Sequence, residues 1–193
     1  MWFSAASAEP AQYRPESISR RRLLSAGAGL ATSLVLGPAL ASATRRHERR
    51  LQLLNLHTGE RASAIYFADG AMVEPECRTL DKILRDFRTR DVATIDRSLF
   101  DFLYRLQQKV ETPGAFHVIS GYRSPKTNDM LRTKGRGVVK GSLHTQARAI
   151  DVRLPGCNLA KLRETALALE LGGVGYYPRS DFIHIDTGRV RFW

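Results

Sequence analysis

The chain has 193 residues, 43% hydrophobic and 25% charged, which is enough for one soluble domain with an ordinary core and no need of covalent staples. Its 30 Lys and Arg against 19 Asp and Glu give a formal charge of +11 and suit an anionic partner. Nucleic acid is not the expected one, because zinc-finger spacing, an aromatic RNA-binding motif and a heptad-bearing basic helix are all missing.

In chain order, Ser19-Arg-Arg-Arg-Leu-Leu24 precedes an apolar, small-residue run over 26–36, then Gly37-Pro38 and Ala39-Leu-Ala41-Ser-Ala43. This is a secretory signal over 1–43, of the twin-arginine type, with an apolar stretch too short for a comfortable bilayer span. Removing its four Arg and two acidic residues leaves 26 basic and 17 acidic side chains, a net of +9, on a chain expected to work in the periplasm against an anionic envelope. Residues 44–50 read as a short basic tether, and the domain runs over 51–193. Strands over 51–56 and 62–67 flank the turn His57-Thr-Gly-Glu60, a hairpin in which His57 has a turn role before a ligand role. Leu80, Ile83, Leu84 and Phe87 recur at helical spacing over 76–87, and Asp96 N-caps a second helix bearing Leu99, Phe100, Leu103 and Leu106.

Pro113-Gly114 breaks that pattern, and residues 116–120 read as a buried strand in which His117 is a sheet residue rather than a ligand. A short helix over 127–132, a Gly- and Lys-rich loop over 135–141, a strand over 149–154, a helix over 159–171, a loop over 172–175 and a strand over 182–187 complete the domain. The order implies α+β, with a small mixed or antiparallel sheet flanked by helices. Cys77 and Cys157 allow one disulfide, and the sequence leaves their pairing open.

The chemistry concentrates at His144, Asp151 and His184. Two imidazoles and one carboxylate are the ligand set of a catalytic zinc with its fourth position open to water. In the strand over 149–154, Ile150, Val152 and Leu154 face the core, leaving Asp151 with Ala149 and Arg153 on the opposite face. In 182–187, Ile183 and Ile185 face the core, so Phe182, His184 and Asp186 point the other way. Asp151 and His184 can therefore line one cleft. His144 lies an odd seven residues before Asp151 and must reach back from a loop, to which Gly141 gives latitude. Asp181, three residues before His184, is placed to act as the base, and Arg123 is the candidate cation for a developing oxyanion. Asp186 either orients a ligand imidazole or replaces Asp181 as base. On these residues alone, a chance His-x6-Asp pair is still an open alternative.

At these positions the chain resembles the zinc D-Ala-D-Ala peptidase superfamily, which includes penicillin-insensitive murein endopeptidases, D,D-dipeptidases and the Hedgehog signalling domain. Ser142, His144, Ala149, Asp151, Asp181 and His184 match its pattern. Ile119-Ser-Gly-Tyr-Arg-Ser124, Gly172-Gly-Val-Gly-Tyr-Tyr-Pro178 and His184-Ile-Asp-Thr-Gly188 are similar to its exported murein endopeptidase K branch. The resemblance implies a Hedgehog/DD-peptidase-like single domain holding zinc on His144, Asp151 and His184, with Arg123 on the substrate carbonyl. It also implies hydrolysis of peptidoglycan cross-link peptides, including those joining two meso-diaminopimelate residues. The family's glycine is replaced by Ala147, a departure that matters if the position has a positive φ. A D-Ala carboxypeptidase, or a non-catalytic wall-binding domain stabilised by its metal, are the alternative functions.

Overall fold

The computed structural model describes residues 47–134 and 141–193; the expected signal, residues 44–46 of the tether and residues 135–140 of the Gly- and Lys-rich loop lie outside them. β1 (Arg49–Asn55) and β2 (Arg61–Ala68) form the expected antiparallel hairpin, and strand pairing already includes Arg49 and Arg50 at the end of the stretch read as a tether. The Asn55 side chain accepts from the backbone N–H of His57 and of Thr58, and Gly59 follows at φ +72°, so the turn is built by residues suited to it. His57 serves this turn: Nε2 donates to the Ile119 carbonyl and the ring stacks on Phe87 at 3.8 Å.

After the two-residue β3 (Ala71–Met72), α1 (Glu74–Ile83) ends earlier than the apolar spacing suggests. Leu84 leaves the helix because Asp86 turns the chain, accepting from the backbone N–H of Arg88 and of Ser124. α2 (Arg97–Val110) begins as expected at Asp96, whose carboxylate accepts from Ser98 N at 3.0 Å, and its Leu99, Phe100, Leu103 and Leu106 are fully buried. β4 (Phe116–Ser120), α3 (Pro125–Thr133), a 3-10 turn (Leu143–Gln146), β5 (Ala149–Arg153) and α4 (Leu159–Ala168) follow. The chain closes with β6 (Gly173–Tyr177), β7 (Phe182–Asp186) and β8 (Arg191–Phe192).

The described strands make one mixed eight-stranded sheet in the order β3-β2-β1-β4-β5-β7-β6-β8, larger than the small sheet expected but of the expected α+β class. β1–β4 and β6–β8 are parallel pairs and the others antiparallel. β6 corrects the reading of 172–175 as a loop. Its glycines do not loosen the chain. A Cβ at Gly173 would collide with the Asp186 carboxylate and the Arg191 guanidinium, and one at Gly175 would lie 2.7 Å from the Trp193 indole. Glycine marks here a close approach of side chains from neighbouring strands.

One face of the sheet carries Val118, Ile150, Val152, Val174, Ile183 and Ile185, all essentially inaccessible and continuous with the stripe of α2. Burying each of these branched side chains contributes about 1.5–3 kcal/mol. Parity then fixes the opposite face, and with it the register of the site. Asp151 pairs directly with His184, Ser120 with Asp151, and His184 with Gly175, so a single row crosses four strands.

Cys77 and Cys157 are both free, Cys77 fully buried and Cys157 partly so, and burial pushes the Cys77 thiol above its ordinary value. No helix among the described residues is long and apolar enough to cross a membrane.

Candidate metal centre

His144, Asp151 and His184 come together as the sequence implied. Asp151 Oδ1 lies 3.2 Å from His144 Nε2 and 2.9 Å from His184 Nδ1, and the two nitrogens are 3.2 Å apart. Donors bound at about 2.0–2.2 Å around a tetrahedral ion stand about 3.3 Å from one another. The three separations are close to that spacing.

The outer nitrogens settle what the inner ones present. His144 Nδ1 is 2.7 Å from the Gly121 carbonyl and His184 Nε2 is 3.0 Å from Asp186 Oδ2. A carbonyl and a carboxylate can only accept, so both outer nitrogens carry a proton, and each inner nitrogen of a neutral ring offers a lone pair. Two lone pairs and a carboxylate oxygen thus converge inside the protein. They repel unless a proton or a metal cation lies among them, and with a metal bound they are the donor set a zinc ion requires. Burial alone would raise the Asp151 carboxyl, but the charges and hydrogen bonds of His144 and His184 hold it well below the usual carboxylate range. Burial lowers the His144 imidazole. For His184 burial acts the same way, but hydrogen bonds to Asp151 and Asp186 outweigh it and raise the pKa.

Backbone geometry places each ligand. His144 sits in the 3-10 turn, which closes with Ala147 in the left-handed region at φ +57°. The position occupied by glycine in the family pattern therefore does have a positive φ, and here a buried alanine adopts it. The turn is fastened to the loop after β4 by Arg123 N, which donates to the His144 carbonyl at 3.1 Å. Gly121 must lack a side chain, since a Cβ would collide with the Leu84 carbonyl, and this close approach aims its own carbonyl at His144.

Arg123 stands at the centre, as expected, with a contact that was not anticipated. Its Nη2 donates to Asp151 Oδ2 at 2.9 Å and its Nε to Ser120 Oγ at 3.0 Å, so it braces the ligand carboxylate from the side away from the imidazoles. Asp186 is completely buried and receives five hydrogen bonds, from His184 Nε2, the backbone N–H of Gly173 and Gly188, and both Nη atoms of Arg191. Burial would raise its pKa, but His184 and Arg191 keep it ionised far below the ordinary range. Asp181 lies apart from the cluster. Its side chain is 61% exposed and Oδ2 accepts from Arg153 Nη1 at 2.7 Å.

Three contributors carried no signal in the sequence: the Gly121 carbonyl, Arg191 and Trp193. The Trp193 indole lies 5.2 Å from the His184 ring and donates to the Tyr177 hydroxyl at 2.9 Å, walling one side of the site.

The family profile described as Peptidoglycan L,D-endopeptidase MepK matches residues 43–193. The chain is 44% identical over 176 residues to the Peptidoglycan L,D-endopeptidase MepK of Escherichia coli strain K12, covering 91% of this chain and 97% of that one. It is 40% identical over 177 residues to the Probable peptidoglycan L,D-endopeptidase MepK of Haemophilus influenzae, covering 91% and 95%. No solved structure matches the chain. The chain belongs to the peptidoglycan L,D-endopeptidase MepK family and is an enzyme of that peptidase class.

Proposed function

We propose that this chain is a zinc-dependent endopeptidase of the periplasm that hydrolyses peptide cross-links of peptidoglycan, including those joining two meso-diaminopimelate residues. The observation carrying this reading is the convergence of two lone pairs and one carboxylate oxygen at 2.9–3.2 Å, with both imidazole tautomers set from behind. The relatives' names supply the substrate class, and the Arg-rich, small-residue segment over 1–43 supplies the twin-arginine export route.

In this reading His144, Asp151 and His184 hold zinc, whose chemistry is to polarise the scissile carbonyl and bring a water molecule towards a neutral pKa. The rest is the work of this chain's own residues. Gly121 and Asp186 fix the tautomer and orientation of the imidazoles, so that each turns its ligand nitrogen towards the metal position. Arg123, already oriented by Ser120 and Asp151, presents the nearest guanidinium for the oxyanion that develops on the carbonyl. Asp181 takes the proton from the attacking water. This role is supported by its place three residues before His184 and by its exposure, and it requires the side chain to turn from Arg153 towards the centre, whereas both oxygens of Asp186 are buried and engaged. Asp186 thus orients His184 instead of acting as the base.

The test uses the mature chain, residues 44–193, on defined cross-linked muropeptide dimers, with products read by mass. Cleavage of a dimer joined through two diaminopimelate residues, lost with chelator and restored by zinc, is the expected result. Release of terminal D-Ala from monomers with dimers left intact would favour a carboxypeptidase. Sacculi bound but uncut with zinc present would contradict enzymatic action on the wall.

A further inference from the structure

We propose that the cleft lined by His117, Arg153, Leu154, Cys157, Leu159 and Asp181 is a substrate subsite that takes a carboxylate-bearing side chain next to the scissile bond, with Arg153 as the recognising cation. The proposal deepens the endopeptidase reading and rests on it for the identity of the ligand.

Position comes first. Arg153 is two residues beyond Asp151 on β5 and shares its face, about 7 Å along the strand. Asp181 opens the segment that leads into His184, and His117 pairs with Arg153 across β4–β5. The cleft therefore continues the face that carries the ligands, one step along from the row Ser120–Asp151–His184. Its volume of about 330 Å³ suits a single side chain better than an extended polymer.

The lining supplies the chemistry. Arg153 spends only Nη1 on Asp181 among the described residues, and that pair is partly open to solvent, with side chains 35% and 61% exposed. The rest of its fork is available for a carboxylate, which guanidinium geometry matches in a bidentate way. His117 Nδ1 is buried without a hydrogen-bond partner among the described residues, and the residue lines the cleft. Burial, Arg153 and Arg61 together lower the His117 pKa, so the ring is neutral at pH 7 and one of its nitrogens can donate. Leu154 and Leu159 provide an apolar wall for the methylene part of a side chain. A cross-link between two diamino-dicarboxylic residues leaves such a carboxylate beside the bond to be broken.

The experiment is a binding measurement, so that it does not depend on turnover. Chelator-stripped mature chain is titrated calorimetrically with two synthetic cross-linked peptides, identical except that the diamino-acid carboxylate flanking the cross-link is free in one and a carboxamide in the other. The free carboxylate is expected to bind at least tenfold tighter. Arg153→Gln is expected to bring both peptides to the affinity of the amide, and Arg153→Lys to retain part of the difference. Loss of the Arg153 contact to Asp181 would change both peptides alike, so the ratio is the readout that a structural role would not move. Equal affinities in the wild type, or a ratio unchanged in Arg153→Gln, would overturn the subsite. A tenfold ratio in a chain that cleaves neither peptide with zinc present would leave the subsite standing and remove the endopeptidase reading alone.

Discussion

Replacing Asp186 by Asn probes how the centre is held without touching a ligand. The two side chains are nearly the same size, but one acceptor oxygen becomes an amide donor. On the Oδ1 side that donor would face the N–H of Gly173, the N–H of Gly188 and Arg191 Nη1; on the Oδ2 side it would face His184 Nε2 and Arg191 Nη2. The second placement loses fewer bonds, so His184 forfeits its acceptor and its tautomer is no longer set. Removing such a partner lowers metal affinity about 10- to 100-fold, equivalent to about 1.4–2.7 kcal/mol. Arg191 also loses its counter-charge. Breaking a buried pair costs about 3–5 kcal/mol, and because the Arg191 side chain is 30% exposed and can rehydrate, a loss of about 2–3 kcal/mol is expected. Competition against a chromophoric chelator gives the zinc affinity, and thermal denaturation in chelator gives the stability of the metal-free fold. Zinc affinity within threefold of wild type would refute the reasoning, whatever happened to the melting temperature.

The remaining predictions concern separate parts of the molecule. Arg123→Lys, which cannot reproduce the fork between Ser120 Oγ and Asp151 Oδ2, should lower kcat about 10²-fold with the fold intact; unchanged steady-state kinetics would dismiss its role. Gly175→Ala should displace the Trp193 indole and destabilise by about 1–3 kcal/mol. Since Trp2 and Trp193 are the two tryptophans, emission from a chain of residues 44–193 reports that displacement, and an unaltered spectrum and melt would count against the packing. Burial opposes ionisation of Asp86, but hydrogen bonds from Thr127, Ser124 and the Arg88 backbone hold its pKa down to about 2. Its folded pKa lies below the unfolded value, so its stabilisation is complete above about pH 4 and disappears as pH falls towards 2. Asp96, Asp151 and Asp186 act in the same direction, so the metal-free melting temperature should drop steeply below pH 4, and a flat profile down to pH 2.5 would be inconsistent. In the native chain a disulfide-exchange reagent should titrate Cys157 quickly and Cys77 only on unfolding; two fast thiols or none would show that the burial is wrong.

Much of the site was legible because strand parity is a hard constraint. Alternation of isoleucine and valine in 149–154 and 182–187 put Asp151 and His184 on one face, and the pairing of these two residues follows from it. His144 was assigned to a loop by its odd offset, and a 3-10 turn carries it. Asp96 as a cap and His57 as a turn residue were local chemistry, readable over a few positions. What could not be read depended on distant approach. Gly173 and Gly175 looked like a loop because the side chains that need their space, Asp186, Arg191 and Trp193, come from β7, β8 and the residue after β8. β3 and β8 have two residues each, too few for a period. The engagement of Asp181 with Arg153, and the orphaned nitrogen of His117, arise from cross-strand geometry that no spacing within one segment encodes.

The central claim is that zinc on His144, Asp151 and His184 drives cleavage of the cross-link. Stripped mature chain should be titrated with zinc while bound metal and hydrolysis of a diaminopimelate-joined muropeptide dimer are followed in the same samples. Activity is expected to rise in proportion to bound zinc and to saturate at one ion per chain, with His184→Ala folded but neither binding tightly nor cleaving. Hydrolysis by metal-free chain, or a full complement of zinc with the dimer intact, would contradict it.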